Sequence, residues 1–343
     1  MPEIELLVRF RYLILSVLFS ANLSAQTHPI KAVDSLLTSG INKIILQNYS
    51  GAKNTFVKLD YLYPDNPLGE IYLAGTEIAM SVDYEKDFNN FYIDSLLSLA
   101  EEKTEKLLDR DENNIWFNYY NALIFGYKAY YKALQNNIIS ALSNGVESLQ
   151  SFKKCLETDP NFYEAYIAAG TYNYWKSAQT KSFLWLPFIS DKREKGIKLL
   201  EKAVKHSTYN YYLAAYSLIW IYIDYEQSEK AISLSLKMLN KYPQSRFFKW
   251  GLARAYEDTD LTKAIAIYQE LLNSIETLKV RNGYNDIVLR HKIAMLYYKK
   301  NEKNKALKLC NEILDFKINS VKIKKRLESR IERVKKLQNE LLR

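Results

Sequence analysis

Apolar residues recur along this chain at intervals of three and four, the period of one helix face. The last segment is the clearest case: Ile323, Leu327, Ile331, Val334 and Leu341 form one stripe across residues 320–343, which are otherwise polar. Between residues 67 and 160 the pattern predicts four long helices, over 67–82, 88–109, 115–134 and 137–157. Only 10 Gly and 7 Pro occur in 343 residues, against roughly 24 and 17 at average usage, which excludes turn-rich all-β folds, collagen and flexible linkers.

A longer period lies over the helical one. Gly40, Ala52, Phe56 and Pro64 are spaced 12, 4 and 8 apart, which fits positions 8, 20, 24 and 32 of a 34-residue helix-turn-helix unit. Ser148, Phe152, Cys155 and Pro160 fit the second half of such a unit, and Tyr166 with Gly170 opens the next. Leu218, Tyr222, Ala231 and Pro243 fit another. Ala253, Tyr256, Ala264, Tyr268 and Leu271 form a unit one residue short, and Ala294, Tyr297, Ala306, Cys310 and Ile313 a regular one. Small residues let paired helices approach, aromatics fill the space against the neighbouring unit, and Pro ends the second helix.

This pattern resembles the tetratricopeptide repeat (TPR). The resemblance implies an all-α, right-handed α-solenoid of six or seven helix-turn-helix units closed by a C-terminal capping helix. Residues 113–271, with LETDPNFYEAYIAAGTYNYW, DKREKGIKLLEKAV and NKYPQS, are similar to a group of exported bacterial TPR proteins that supplies no catalytic residues. The expected organisation is a signal peptide over 1–25, N-terminal units over 26–160, units with an insert over 161–319, and a basic cap over 320–343. Two of the N-terminal units are degenerate, with long helices. The insert at 176–190, KSAQTKSFLWLPFIS, carries Phe183, Trp185 and Phe188 and is too apolar to be left in water, so it is expected to pack on the array or on a partner. A polar excess of 8 residues falls within 273–286.

Charge changes the picture less than its sum suggests. The formal net charge is +9, but residues 317–343 hold 10 basic and 3 acidic residues, leaving only +2 for the rest. The basic residues are expected to form the solvated outer face of the cap, and no nucleic-acid partner is expected. Arg9 and Arg11, the apolar run from Tyr12 to Phe19, and Leu23-Ser-Ala25 read as an export signal cleaved after Ala25. This predicts a periplasmic or secreted protein with no transmembrane segment in the mature chain. Cys155 and Cys310 sit in apolar helical contexts and read as buried thiols.

Chemistry is thin. His28, His206 and His291 lack a second ligand at metal-binding spacing, and neither a phosphate-binding Gly loop nor a Gly-x-Ser-x-Gly elbow occurs. The carboxylates Glu101, Glu102, Asp109, Asp111 and Glu112 fall at helix surfaces or ends. No catalytic, metal or cofactor site is expected. In a TPR array the first helices line the concave face, and the registers above put Tyr174, Trp175, Tyr216, Trp220, Trp250, Arg254, His291 and Tyr298 there. These residues make the expected groove for a protein or peptide partner, in an envelope-associated complex. Two other readings stand beside it: a carbohydrate- or small-ligand-binding groove, and an anionic-surface binder working through the basic C-terminal helix.

Overall fold

A computed structural model describes residues 26–179, 190–279 and 281–343. Among them are fifteen α-helices: α1 (Lys31–Ile45), α2 (Tyr49–Leu62), α3 (Leu68–Asp83), α4 (Asn90–Leu108), α5 (Ile115–Leu134), α6 (Ile138–Thr158), α7 (Tyr166–Gln179), α8 (Arg193–His206), α9 (Tyr211–Asp224), α10 (Ser228–Lys241), α11 (Arg246–Tyr256), α12 (Leu261–Glu276), α13 (Tyr284–Lys299), α14 (Lys303–Leu314) and α15 (Val321–Leu341). A short 3₁₀ turn, Tyr163–Ala165, precedes α7. The four long helices expected between residues 67 and 160 are α3 to α6, each within two residues of its expected ends. Each helix packs on the next, and first helices of successive pairs also meet, as α1 on α3, α3 on α5, α7 on α9, α9 on α11 and α13 on α15. The result is an all-α, TPR-like solenoid of seven helix pairs and a terminal helix.

Small residues stand where helices cross. A Cβ on Gly40 would lie 2.3 Å from the ring of Phe56 in the paired helix. At the α7/α8 crossing a Cβ on Gly196 would lie 2.6 Å from the Gly170 carbonyl oxygen and 2.8 Å from the Tyr174 nitrogen. Those are backbone atoms, which cannot rotate away. Gly196→Ala is therefore expected to destabilise the protein by about 1–3 kcal/mol in denaturant unfolding, despite the better helix propensity of Ala. An unchanged midpoint would mean that the two helices can part freely.

The turns inside the pairs also repeat. Gln47, Glu85, Asn136, Glu226 and Asn301 all have φ between 52° and 60°, and each lies two residues beyond a first helix. In each turn the following N–H bonds back five residues, as Asn48 to Lys43 and Gln227 to Tyr222. This is the 6→1 bond of a Schellman cap, made here without glycine.

The array also folds back on itself. A single core runs from Val33 of α1 to Ala255 of α11, and α3 buries 13 of its 16 residues. The His28 N–H donates to the Tyr209 hydroxyl (2.7 Å), which itself donates to Asp34 (2.5 Å). Tyr242 donates to Asn42 (2.7 Å), and Gln47 accepts from the Arg246 N–H (3.2 Å). The α3–α4 turn is held by three later elements. Arg246 forks onto Asp83, with Nε 2.8 Å from Oδ1. Asn282 and Asn285 donate to the carbonyls of Glu85 (2.6 Å) and Asp83 (3.0 Å). Arg326 and Lys322 of α15 pair with Glu85 and Asp87.

Two expectations change accordingly. The polar excess at 273–286 is spent partly on an extra turn of α12, to Glu276, and partly on a loop whose Asn282 clasps the α3–α4 turn. The basic face of the cap is not wholly outward, because Lys322 and Arg326 are turned onto that same turn. The expected apolar stripe does face the array: Ile323, Leu327 and Val334 are buried, joined by Leu337. Both thiols are buried, and burial pushes Cys155 up to about 12 and Cys310 to about 11, so neither is a ready nucleophile.

Candidate functional site

The eight expected groove residues divide into two sets. Trp175, Trp220 and Arg254, from the C-terminal ends of α7, α9 and α11, converge on one open cleft of about 1360 Å³. Tyr216 stands behind them, its ring edge-on to Trp220 (6.3 Å) and to Phe247 (6.2 Å). The others serve packing. Tyr174 is fully buried, edge-on to Trp175, and its hydroxyl donates to Asp224 at 2.6 Å. Trp250 packs edge-on to Tyr268 (5.8 Å), and Tyr298 donates to Glu340 of the terminal helix. His291 is buried between α13 and α15, where its Nδ1 meets the Arg330 guanidinium at 3.0 Å. Burial first, then the cations Arg330, Arg333 and Lys292, lower its pKa to about 4. Phe183, Trp185 and Phe188 of the insert lie outside the described residues, as does the 1–25 segment.

The cleft takes its polar character from residues that the groove register did not single out. Asp224, Glu226, Gln227, Ser228, Glu229 and Lys230 come from the turn after α9 and the start of α10, and Asp258 and Thr259 from the turn after α11. Four carboxylates, those of Asp224, Glu226, Glu229 and Asp258, face two cations, Lys230 and Arg254, so the lining carries a formal −2 on a protein of net +9. Arg254 is held on its own helix end by Asp258 (2.9 Å) and Glu257 (3.5 Å). The register failed here because it projects first-helix positions and omits the turns that close each pair. The signal available in the sequence was the polar run Asp224 to Lys230, set between two apolar helices.

The Trp220 indole Nε1, which is turned toward Tyr216, and the Gln227 Oε1 are both buried, so the cleft presents the indole faces and the carboxylates rather than these two atoms. The side-chain chemistry at hand is aromatic stacking, hydrogen bonding and ion pairing. Among the described residues no group of three or more His, Cys, Asp or Glu could hold a metal ion, and no helix is long and apolar enough to cross a membrane.

Fold and cleft together define a TPR-like helical-repeat protein with an open cleft at the pair-closing turns. PilW, a widely conserved type IV pilus biogenesis factor, is 17% identical with a TM-score of 0.48, over 74% of this chain and 98% of that one. A thermophilic TPR protein of Thermus thermophilus is 15% identical (TM-score 0.40, 65% of this chain and 98% of that one). The C-terminal part of a TPR repeat-containing protein of Cytophaga hutchinsonii is 18% identical (TM-score 0.41, 85% and 97%). No protein-family model and no curated protein sequence matches the chain.

Proposed function

We propose that this protein is a non-enzymatic scaffold, exported to the periplasm or the medium, that binds a segment of a protein partner in the cleft at Trp175, Trp220 and Arg254. The observation that carries the reading is the cleft itself: two indoles and an acidic rim on a basic molecule. Indoles bury large area at low entropic cost, and the rim favours a Lys or Arg beside apolar residues in the partner. Export rests on the 1–25 segment, and the non-enzymatic reading on the recognition chemistry of the cleft.

Selection from a displayed library of random peptides on the immobilised protein tests the site. Enriched peptides are expected to carry a basic residue flanked by aromatic or aliphatic ones. Trp220→Ala is expected to weaken their binding at least about tenfold, as truncating an aromatic hot spot does. Absence of enrichment, or enrichment that survives Trp175→Ala with Trp220→Ala, would overturn the reading.

A further inference from the structure

Lys322, Arg326, Arg330 and Arg333 follow one another at i, i+4, i+8 and i+11 on α15, so they share one face of that helix. The first two are neutralised by Asp87 and Glu85 of the α3–α4 turn. Arg330 and Arg333 have no carboxylate partner among the described residues, although Arg330 is half-buried. Its polar contact is with His291 of α13, Nη1 to Nδ1 at 3.0 Å. A guanidinium cannot give up its proton at ordinary pH, so it donates and His291 accepts. That fixes the tautomer: the His291 proton sits on Nε2, which is buried and without an acceptor. His291 stays neutral well below pH 7, so it orients Arg330 without cancelling its charge.

An uncompensated, half-buried cation beside a second one is costly to maintain. Burial and Arg333 accordingly hold the Arg330 guanidinium below its usual pKa range. The planar fork of an arginine matches two oxygens of one oxyanion, and a neighbour one turn away adds charge and further donors.

We propose that the half-buried Arg330 and the exposed Arg333 form an oxyanion-binding site on the flank of the terminal helix beside α13, with His291 as the positioning residue, and that the site takes a carboxylate or phosphate group. It stands apart from the cleft at Trp220, and neither reading depends on the other.

The test is thermal unfolding of the whole protein in sodium phosphate or sodium succinate, with sodium chloride at matched ionic strength as reference. At an anion concentration about ten times its Kd, each ligand that binds is expected to raise Tm by roughly 2–4 °C over chloride. Arg330→Gln and Arg333→Gln should each abolish the rise. Arg330→Lys should keep the fold and weaken binding, and His291→Leu should reduce the rise where His291→Gln, which still offers an acceptor, retains it. Lys322→Gln and Trp220→Ala should respond as wild type, the latter separating this site from the cleft. A response to phosphate alone assigns the site to phosphoryl groups, and a response to succinate alone to carboxylates. No rise over chloride with either anion, or an equal rise in Arg330→Gln and Arg330→Lys, would overturn the proposal.

Discussion

Asp83→Ala is expected to cost about 3–5 kcal/mol of folding free energy in urea unfolding, the largest single-residue effect foreseen for this protein. Asp83 and Arg246 lie 163 residues apart, yet their side chains are only 3% and 9% exposed and meet in a two-point contact. Tyr49 donates to the same carboxylate at 2.9 Å, and the Tyr84 ring lies 5.9 Å from the Arg246 guanidinium. Removing the carboxylate strands a cation where water does not reach it. The pair is not expected to add much net stability against an apolar substitute, because two ions must first be desolvated. Asp83→Leu combined with Arg246→Met should thus recover most of the loss. A loss below about 1 kcal/mol in the single variant, the range of an exposed pair, would show that the array opens enough to hydrate Arg246.

Glu164 gives the second large effect, read as a pH dependence. Its carboxylate is buried in the turn before α7 and accepts N–H bonds from Thr208, Tyr209 (2.9 Å) and Asn210 (2.8 Å), at the start of α9. Burial outweighs those three bonds and pushes the carboxyl up to about 7 from 4.5. Between those values the native state keeps a proton that the unfolded chain has released, so Glu164 makes stability fall as pH rises. The full change corresponds to about 3 kcal/mol at 1.36 kcal/mol per pH unit. Glu70, also raised to about 7, adds to that slope, and His291, lowered to about 4, opposes it by making stability rise with pH from 4 to 6.5. Subtracting the profile of Glu164→Gln from that of the wild type removes both contributions. The difference should drop by about 3 kcal/mol between pH 4.5 and 7. A flat difference would mean that the three N–H bonds and the α9 dipole keep Glu164 ionised throughout.

Part of the site was legible because its residues stand on helices. Trp175, Trp220 and Arg254 sit at fixed offsets within their units, and a helix carries such an offset into three dimensions without further information. Tyr174, Trp250, His291 and Tyr298 share that register, but the neighbouring helix and the terminal helix cover them. Gln227 and Asp258 stand outside the first-helix register, since they belong to the turns that close their pairs, the first of them directed by the left-handed Glu226.

The sequence by itself determined the helices, their pairing and the close contacts at Gly40, Gly170 and Gly196. All of these follow from local periodicity and from side-chain volume at a crossing between neighbours. Only the tertiary structure decided where the array meets itself. The contacts of Asp83 with Arg246, Asn282 with Glu85 and Arg326 with Glu85 join residues more than 160 positions apart. The small rotation between successive units, accumulated over several of them, sets which residues meet, and no local pattern records that sum. The same accumulation decides which cations of the terminal helix meet the carboxylates of the α3–α4 turn and which do not.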